Sequence, residues 1–126
     1  GGETKMADNS LGKLMACATQ ICKEQMVHDI IRKEAERFCG PYDIQTTHFA
    51  ITYISKKHPG DSIIYNSTIN KVFITKDYEL LCRMNINCEK LVIEHFEPLN
   101  GYEAFAEYNR IVMALEEKRR ILGGRQ

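Results

Sequence analysis

Tryptophan is absent from the 126 residues, and proline occurs only as Pro41, Pro59 and Pro98. With so few breakers, long stretches are free to be helix or strand, and each proline marks a boundary between them. No apolar run approaches the roughly 20 residues that a membrane-spanning helix needs. The N-terminus has no basic segment followed by an apolar one, so no membrane partner and no secretion are expected, and the expected location is cytoplasmic or nuclear. Gly1 to Lys5 reads as a cloning remnant ahead of Met6.

Phosphate-cradling glycine loops are also missing. Neither G-x-G-x-x-G nor G-K-[ST] occurs, which sets aside the common nucleotide enzymes. An excess of either charge is lacking too, since 17 Lys and Arg stand against 17 Asp and Glu. Nucleic-acid binders draw most of their affinity from clustered basic residues, so this balance disfavours nucleic acid as the partner. The one basic cluster, Lys118, Arg119 and Arg120, fits the C-terminal end of a helix, where positive charge complements the helix dipole.

Five cysteines, an odd number, argue for reduced thiols rather than a disulfide framework. Cys17 and Cys22 are five apart in a helical stretch, and Cys82 and Cys88 lack the two-residue spacing of a zinc knuckle, so no metal or cofactor is expected. Asn66-Ser67-Thr68 matches a glycosylation acceptor but reads better as a turn. No cysteine sits in a glycine-rich turn opening a helix, where a thiolate would be stabilised. His48 and His95 fall in strands, and no catalytic residue stands out.

What is present is clear periodicity. After Asp8, Asn9 or Ser10 as cap, apolar residues recur at helical spacing through Leu11, Leu14, Met15, Ala18, Ile21, Cys22 and Met26. The next set, Val27, Ile30, Ile31, Ala35 and Phe38, lies on nearly the opposite side of the same cylinder. Either the helix breaks near His28, or one long helix buries different sides against different partners. Gly40-Pro41 ends it.

Thr46 to Ile54 alternates as a strand. His58-Pro59-Gly60-Asp61 reads as a turn, followed by Ile63, Ile64 and Tyr65. Val72, Phe73 and Ile74 then belong either to one long bent strand or to the second of two short ones. Tyr78 to Ile86 alternates through nine residues, and Lys90 to Phe96 alternates again after a reversal. Short connections between these strands imply an antiparallel meander. Asn100 and Glu103 suit a reciprocal capping box for a last helix. In that helix Tyr102, Phe105, Tyr108, Ile111, Val112 and Leu115 form the apolar face, with Glu103, Glu107, Arg110, Glu117 and Lys118 opposite. Gly123-Gly124 stops it.

The expected fold is therefore α+β: an N-terminal helix, an antiparallel meander of four to five strands, and a C-terminal helix packed on the sheet. One domain is expected over residues 10–122, with 1–9 a flexible N-terminus and 123–126 a frayed C-terminus. The order helix, strands, helix is shared by double-stranded RNA-binding domains and by Alu-binding subunits of the signal recognition particle. A double-stranded RNA-binding domain would start its last helix with a Lys-Lys-x-Ala-Lys-like run, and this one starts Tyr102-Glu103-Ala104-Phe105. The function expected is a non-catalytic protein–protein interaction or assembly domain, with a second copy of the chain as partner in a homodimer. Leu14, Ile21, Val27, Ile31 and Phe38 are its candidate interface. An RNA-binding module contacting nucleic acid through Lys118, Arg119 and Arg120 is the alternative, and a small-pocket enzyme is the second.

Overall fold

A computed structural model describes the backbone of residues 2–123 and the side chains of residue 11 and residues 19–123. The chain opens with one unbroken helix, α1 (Gly2–Cys39), of 38 residues and therefore roughly 57 Å long. No proline interrupts it, and there is no break at His28. The helix begins ahead of the expected cap at Asp8–Ser10, so residues 2–9 are helical. Its last third carries Val27, Ile31, Ala35 and Cys39, spaced by four, and all four are buried. At its end the Gly40 N–H donates to the Glu36 carbonyl (3.1 Å) with a φ of +67°, a conformation that glycine adopts without strain.

Six strands follow: β1 (Tyr42–Thr46), β2 (Ala50–Ser55), β3 (Ser62–Asn66), β4 (Lys71–Lys76), β5 (Glu79–Asn87) and β6 (Val92–Pro98). They form one antiparallel sheet in chain order, as a meander requires. Of the two alternatives left open, the two short strands are the ones formed, which makes five, and β1 adds a sixth. β3 and β4 are separate strands, turned by Asn66, whose side-chain oxygen accepts the Thr68 N–H (3.1 Å). β1 is an edge strand exposed on both faces, so Asp43, Gln45 and Thr46 show no alternation. The stretch from Thr47 to Phe49, expected within a strand, instead turns β1 into β2, closed by the Thr47 N–H on the Ala50 carbonyl (2.9 Å).

Between β4 and β5 the two-residue turn Asp77-Tyr78 has φ of +51° and +66°, the twist that suits a tight hairpin. Tyr78 therefore belongs to the turn and not to the strand. His95 interrupts β6 with φ +55° where the register to β5 shifts. Beyond that irregularity Phe96, rather than His95, packs against the core.

The last helix, α2 (Gly101–Gly123), lies beside α1 over β5 and β6. Its buried stripe is Ala104, Glu107, Ile111 and Leu115. This corrects the expected face, because Tyr102 is 93% exposed and Phe105 is also exposed, whereas Glu107 points inward. The capping box does not form: Glu103 pairs with Lys76 (2.6 Å), and the Asn100 amide donates to the Leu80 carbonyl (3.3 Å). The core combines these helix residues with Tyr53, Ile63, Tyr65, Val72, Ile74, Cys82, Met84 and Ile86 from the inward side of the sheet. At roughly 1.5–3 kcal/mol for each large side chain withdrawn from water, this layer supplies the main favourable contribution to folding.

Candidate functional site

Two features stand apart from the core: the half of α1 that runs past the sheet, and a cleft between α1 and α2. Among the described residues the buried ones of α1 begin at Val27, and Gln20 still lies against the β3–β4 and β5–β6 turns, so the stretch before it, residues 2–19, runs on for roughly 27 Å. Leu11 on that stretch and Ile21 just after it are 58% and 59% exposed. Lys23 marks where the helix leaves the body, its ammonium donating to the Glu89 carbonyl (2.8 Å).

Of the five candidate interface residues, Ile21 alone is seen at the surface. Val27 and Ile31 are fully enclosed and Phe38 packs against the core, so these three are turned towards the sheet. The side chain of Leu14 lies outside the described residues. Along a continuous helix the set from Val27 to Phe38 covers the sheet; of the other set Met26 also packs against the core, Leu11, Ile21 and Cys22 are exposed, and the side chains of Leu14, Met15 and Ala18 lie outside the described residues.

The cleft encloses about 420 Å³ and is lined by Ile30, Lys33, Glu34 and Arg37 of α1 and by Arg110, Ile111 and Ala114 of α2. At its inner end two carboxyl groups converge on one guanidinium. Arg37 holds Glu34 through Nε (2.8 Å) and Nη2 (3.0 Å), and the same Nη2 reaches both oxygens of Glu107 (2.6 and 2.5 Å). Both glutamates are buried, whereas Arg37 stands at the mouth.

Two negative charges against one positive leave an excess that the interior cannot solvate. Burial, and then the hydrogen bond to Glu34, raise the Glu107 pKa to about 7. For Glu34 burial pushes the same way, but hydrogen bonds from Arg37 and Glu107 outweigh it and leave the pKa below the usual carboxylate value. Near neutrality the pair therefore holds Glu34 ionised, with Glu107 retaining its proton part of the time. Sequence reasoning placed Glu107 on the outer side of its helix, and the signal it lacked was the partner, Arg37, 70 residues away.

The buried thiols are poorly suited to nucleophilic chemistry. Burial raises the Cys39 pKa to about 11 and that of Cys82 to about 12, and it raises Cys88 as well. Cys88 and the Tyr65 hydroxyl share a hydrogen bond (3.8 Å) beside the His28 ring, an arrangement of side chains that packs rather than activates.

The basic cluster is engaged locally. Arg119 donates to the Leu91 carbonyl, Arg120 pairs with Glu117, and Lys118 lines the cleft. On the sheet face away from the core, the registered row Thr52, Ile64, Phe73, Arg83 and Glu97 crosses five strands, and its one cation, Arg83, pairs with Glu97 (2.8 Å). No group of three or more metal-ligating side chains occurs among the described residues, and no helix is long and apolar enough to cross a membrane. Compared with family models, with curated proteins and with solved structures, the chain finds no match in any of the three.

Proposed function

We propose that this chain is a non-catalytic interaction domain that pairs with a second copy of itself along the projecting half of α1. The observation that carries this reading is the exposure of Leu11 and Ile21 on a helix that continues past the sheet it covers. In proteins most of a helix's stability comes from packing an apolar side rather than from propensity alone.

By sequence position Leu11, Leu14, Ala18 and Ile21 are separated by three, four and three residues, the a and d spacing of a coiled-coil seam. The series covers fewer than the roughly three to four heptads that sustain a firm coiled coil, so association should be weak and dependent on concentration. Sedimentation velocity of Ile21→Glu against the parent chain tests the reading. The expected result is loss of the dimer with the far-UV spectrum kept. A dimer of unchanged strength in Ile21→Glu would exclude this part of α1 as the interface.

A further inference from the structure

We propose that Glu34, Arg37 and Glu107 form a proton-operated latch between α1 and α2, closed while the two carboxyl groups share one proton and loosened when that proton is lost. The argument starts from geometry. One guanidinium nitrogen, Nη2 of Arg37, donates to carboxyl oxygens of both Glu34 and Glu107, so the two buried carboxyl groups on different helices lie side by side, and a hydrogen on one of them leaves one negative charge against one positive. Removing that hydrogen turns an attractive contact into two like charges side by side within the interior.

The surroundings offer little to absorb the added charge. Glu107 is faced from α1 by Glu34, Arg37 and the Cys39 thiol, and from β5 by the Cys82 thiol. Both thiols stay protonated near neutrality. Arg110 of the same helix acts on Glu34 from within the cleft, and Asp29, Lys33, Glu117 and Lys118 line its walls. Arg37 is thus the one cation in direct contact with Glu107 among the described residues, and it is already shared.

The sign follows from linkage. Glu107 has its folded-state pKa raised from the ordinary 4.5 to about 7. Its contribution is fully present below the unfolded value and is lost as pH rises through the folded one. Glu34 runs the other way, because its lowered pKa removes stability only under more acidic conditions. The latch therefore weakens on the alkaline side of neutrality, and the element it frees is α2, the helix that carries Glu107.

Amide hydrogen exchange along α2, corrected for the direct effect of hydroxide, tests the proposal. In the parent chain the opening equilibrium of this helix should rise about tenfold between about pH 6 and about pH 8, as expected for one proton released near neutrality. Glu107→Gln keeps a donor for Glu34 without the titratable proton. It should abolish the rise and leave α2 at least as protected at the higher pH as in the parent. Unchanged protection in the parent across this range, or the same rise in Glu107→Gln, would overturn the latch. Should the variant fail to fold, a carbon-detected titration of Glu107 in the parent decides: a midpoint near 7 supports the latch and one near 4.5 overturns it.

Discussion

Ile21 and Val27 stand six residues apart on one unbroken helix, and the first is 59% exposed while the second is fully buried. Ile21 lies where the helix passes the turns at the end of the sheet, beside Gln20, whereas Val27 is on the part that forms one wall of the core. Ile21 and Val27 therefore stand in different surroundings, and substitutions at them should have separable effects.

In the core set, Ile31→Ala should lower stability by about 2–5 kcal/mol, the range for large-to-small changes at enclosed sites. Ile31→Glu should unfold the chain rather than only separate a dimer. Ile21→Ala should change the stability of the monomer by no more than about 0.5 kcal/mol. Urea unfolding followed by far-UV circular dichroism at low protein concentration measures both, and equal losses at the two positions would mean that the projecting half belongs to the core.

Gly60 is required by close approach rather than by its backbone angle. A Cβ there would meet the Tyr78 backbone nitrogen at 2.8 Å and the Tyr78 ring at 2.9 Å, where the Tyr78 N–H already donates to the Gly60 carbonyl (2.9 Å). The ring could swing away, but the backbone of the hairpin turn cannot. Gly60→Ala should cost about 1–3 kcal/mol, as overpacking does. Adding Tyr78→Ala should restore only part of the loss. A thermal midpoint unchanged by Gly60→Ala would show that the β4–β5 turn is free to shift.

Thiol reactivity should divide the described cysteines sharply. Cys22 is exposed, whereas Cys39, Cys82 and Cys88 are buried, and all four are free. In the folded chain a maleimide should modify Cys22 within minutes and the three buried thiols only at the rate of unfolding. After denaturation without reductant, all five cysteines of the sequence should react. Mass spectrometry of the labelled peptides reads both results, and a disulfide among these residues would overturn the reduced assignment.

Arg37→Met removes the cation shared by two buried carboxyl groups. At neutral pH the variant should be less stable by about 1.5–3 kcal/mol, the range for hydrogen bonds to charged groups. Both glutamates would then favour their neutral forms through burial, so the folded state would take up protons that the unfolded state does not, and stability should recover as pH falls towards about 5. Equal deficits at both pH values would assign Arg37 a packing role through its aliphatic stem instead.

Much of the architecture was legible from local pattern. Period-3.6 spacing revealed the helices and period-2 alternation the strands of the sheet interior, because these faces are buried and burial imposes the period. Strand β1 escaped notice because Asp43, Gln45 and Thr46 are exposed on both faces, so nothing imposed alternation on them. The inward face of α2 was misjudged at Glu107 because polar residues are assigned to solvent unless a partner is known, and Arg37 is remote in sequence. The surface site was half legible: the change of face between Met26 and Val27 was plain, but which set met the sheet depended on where the sheet lay along the helix.

Pairing of two chains through the projecting half of α1 is tested most directly by the molecular mass in solution across a concentration series. Light scattering coupled to size exclusion should give 14.5 kDa on dilution, rising towards twice that value as concentration passes from about 1 μM to about 1 mM, the range in which weak associations form. Ile21→Glu should hold the lower mass throughout. A mass of 14.5 kDa at every concentration for the parent chain would contradict self-pairing.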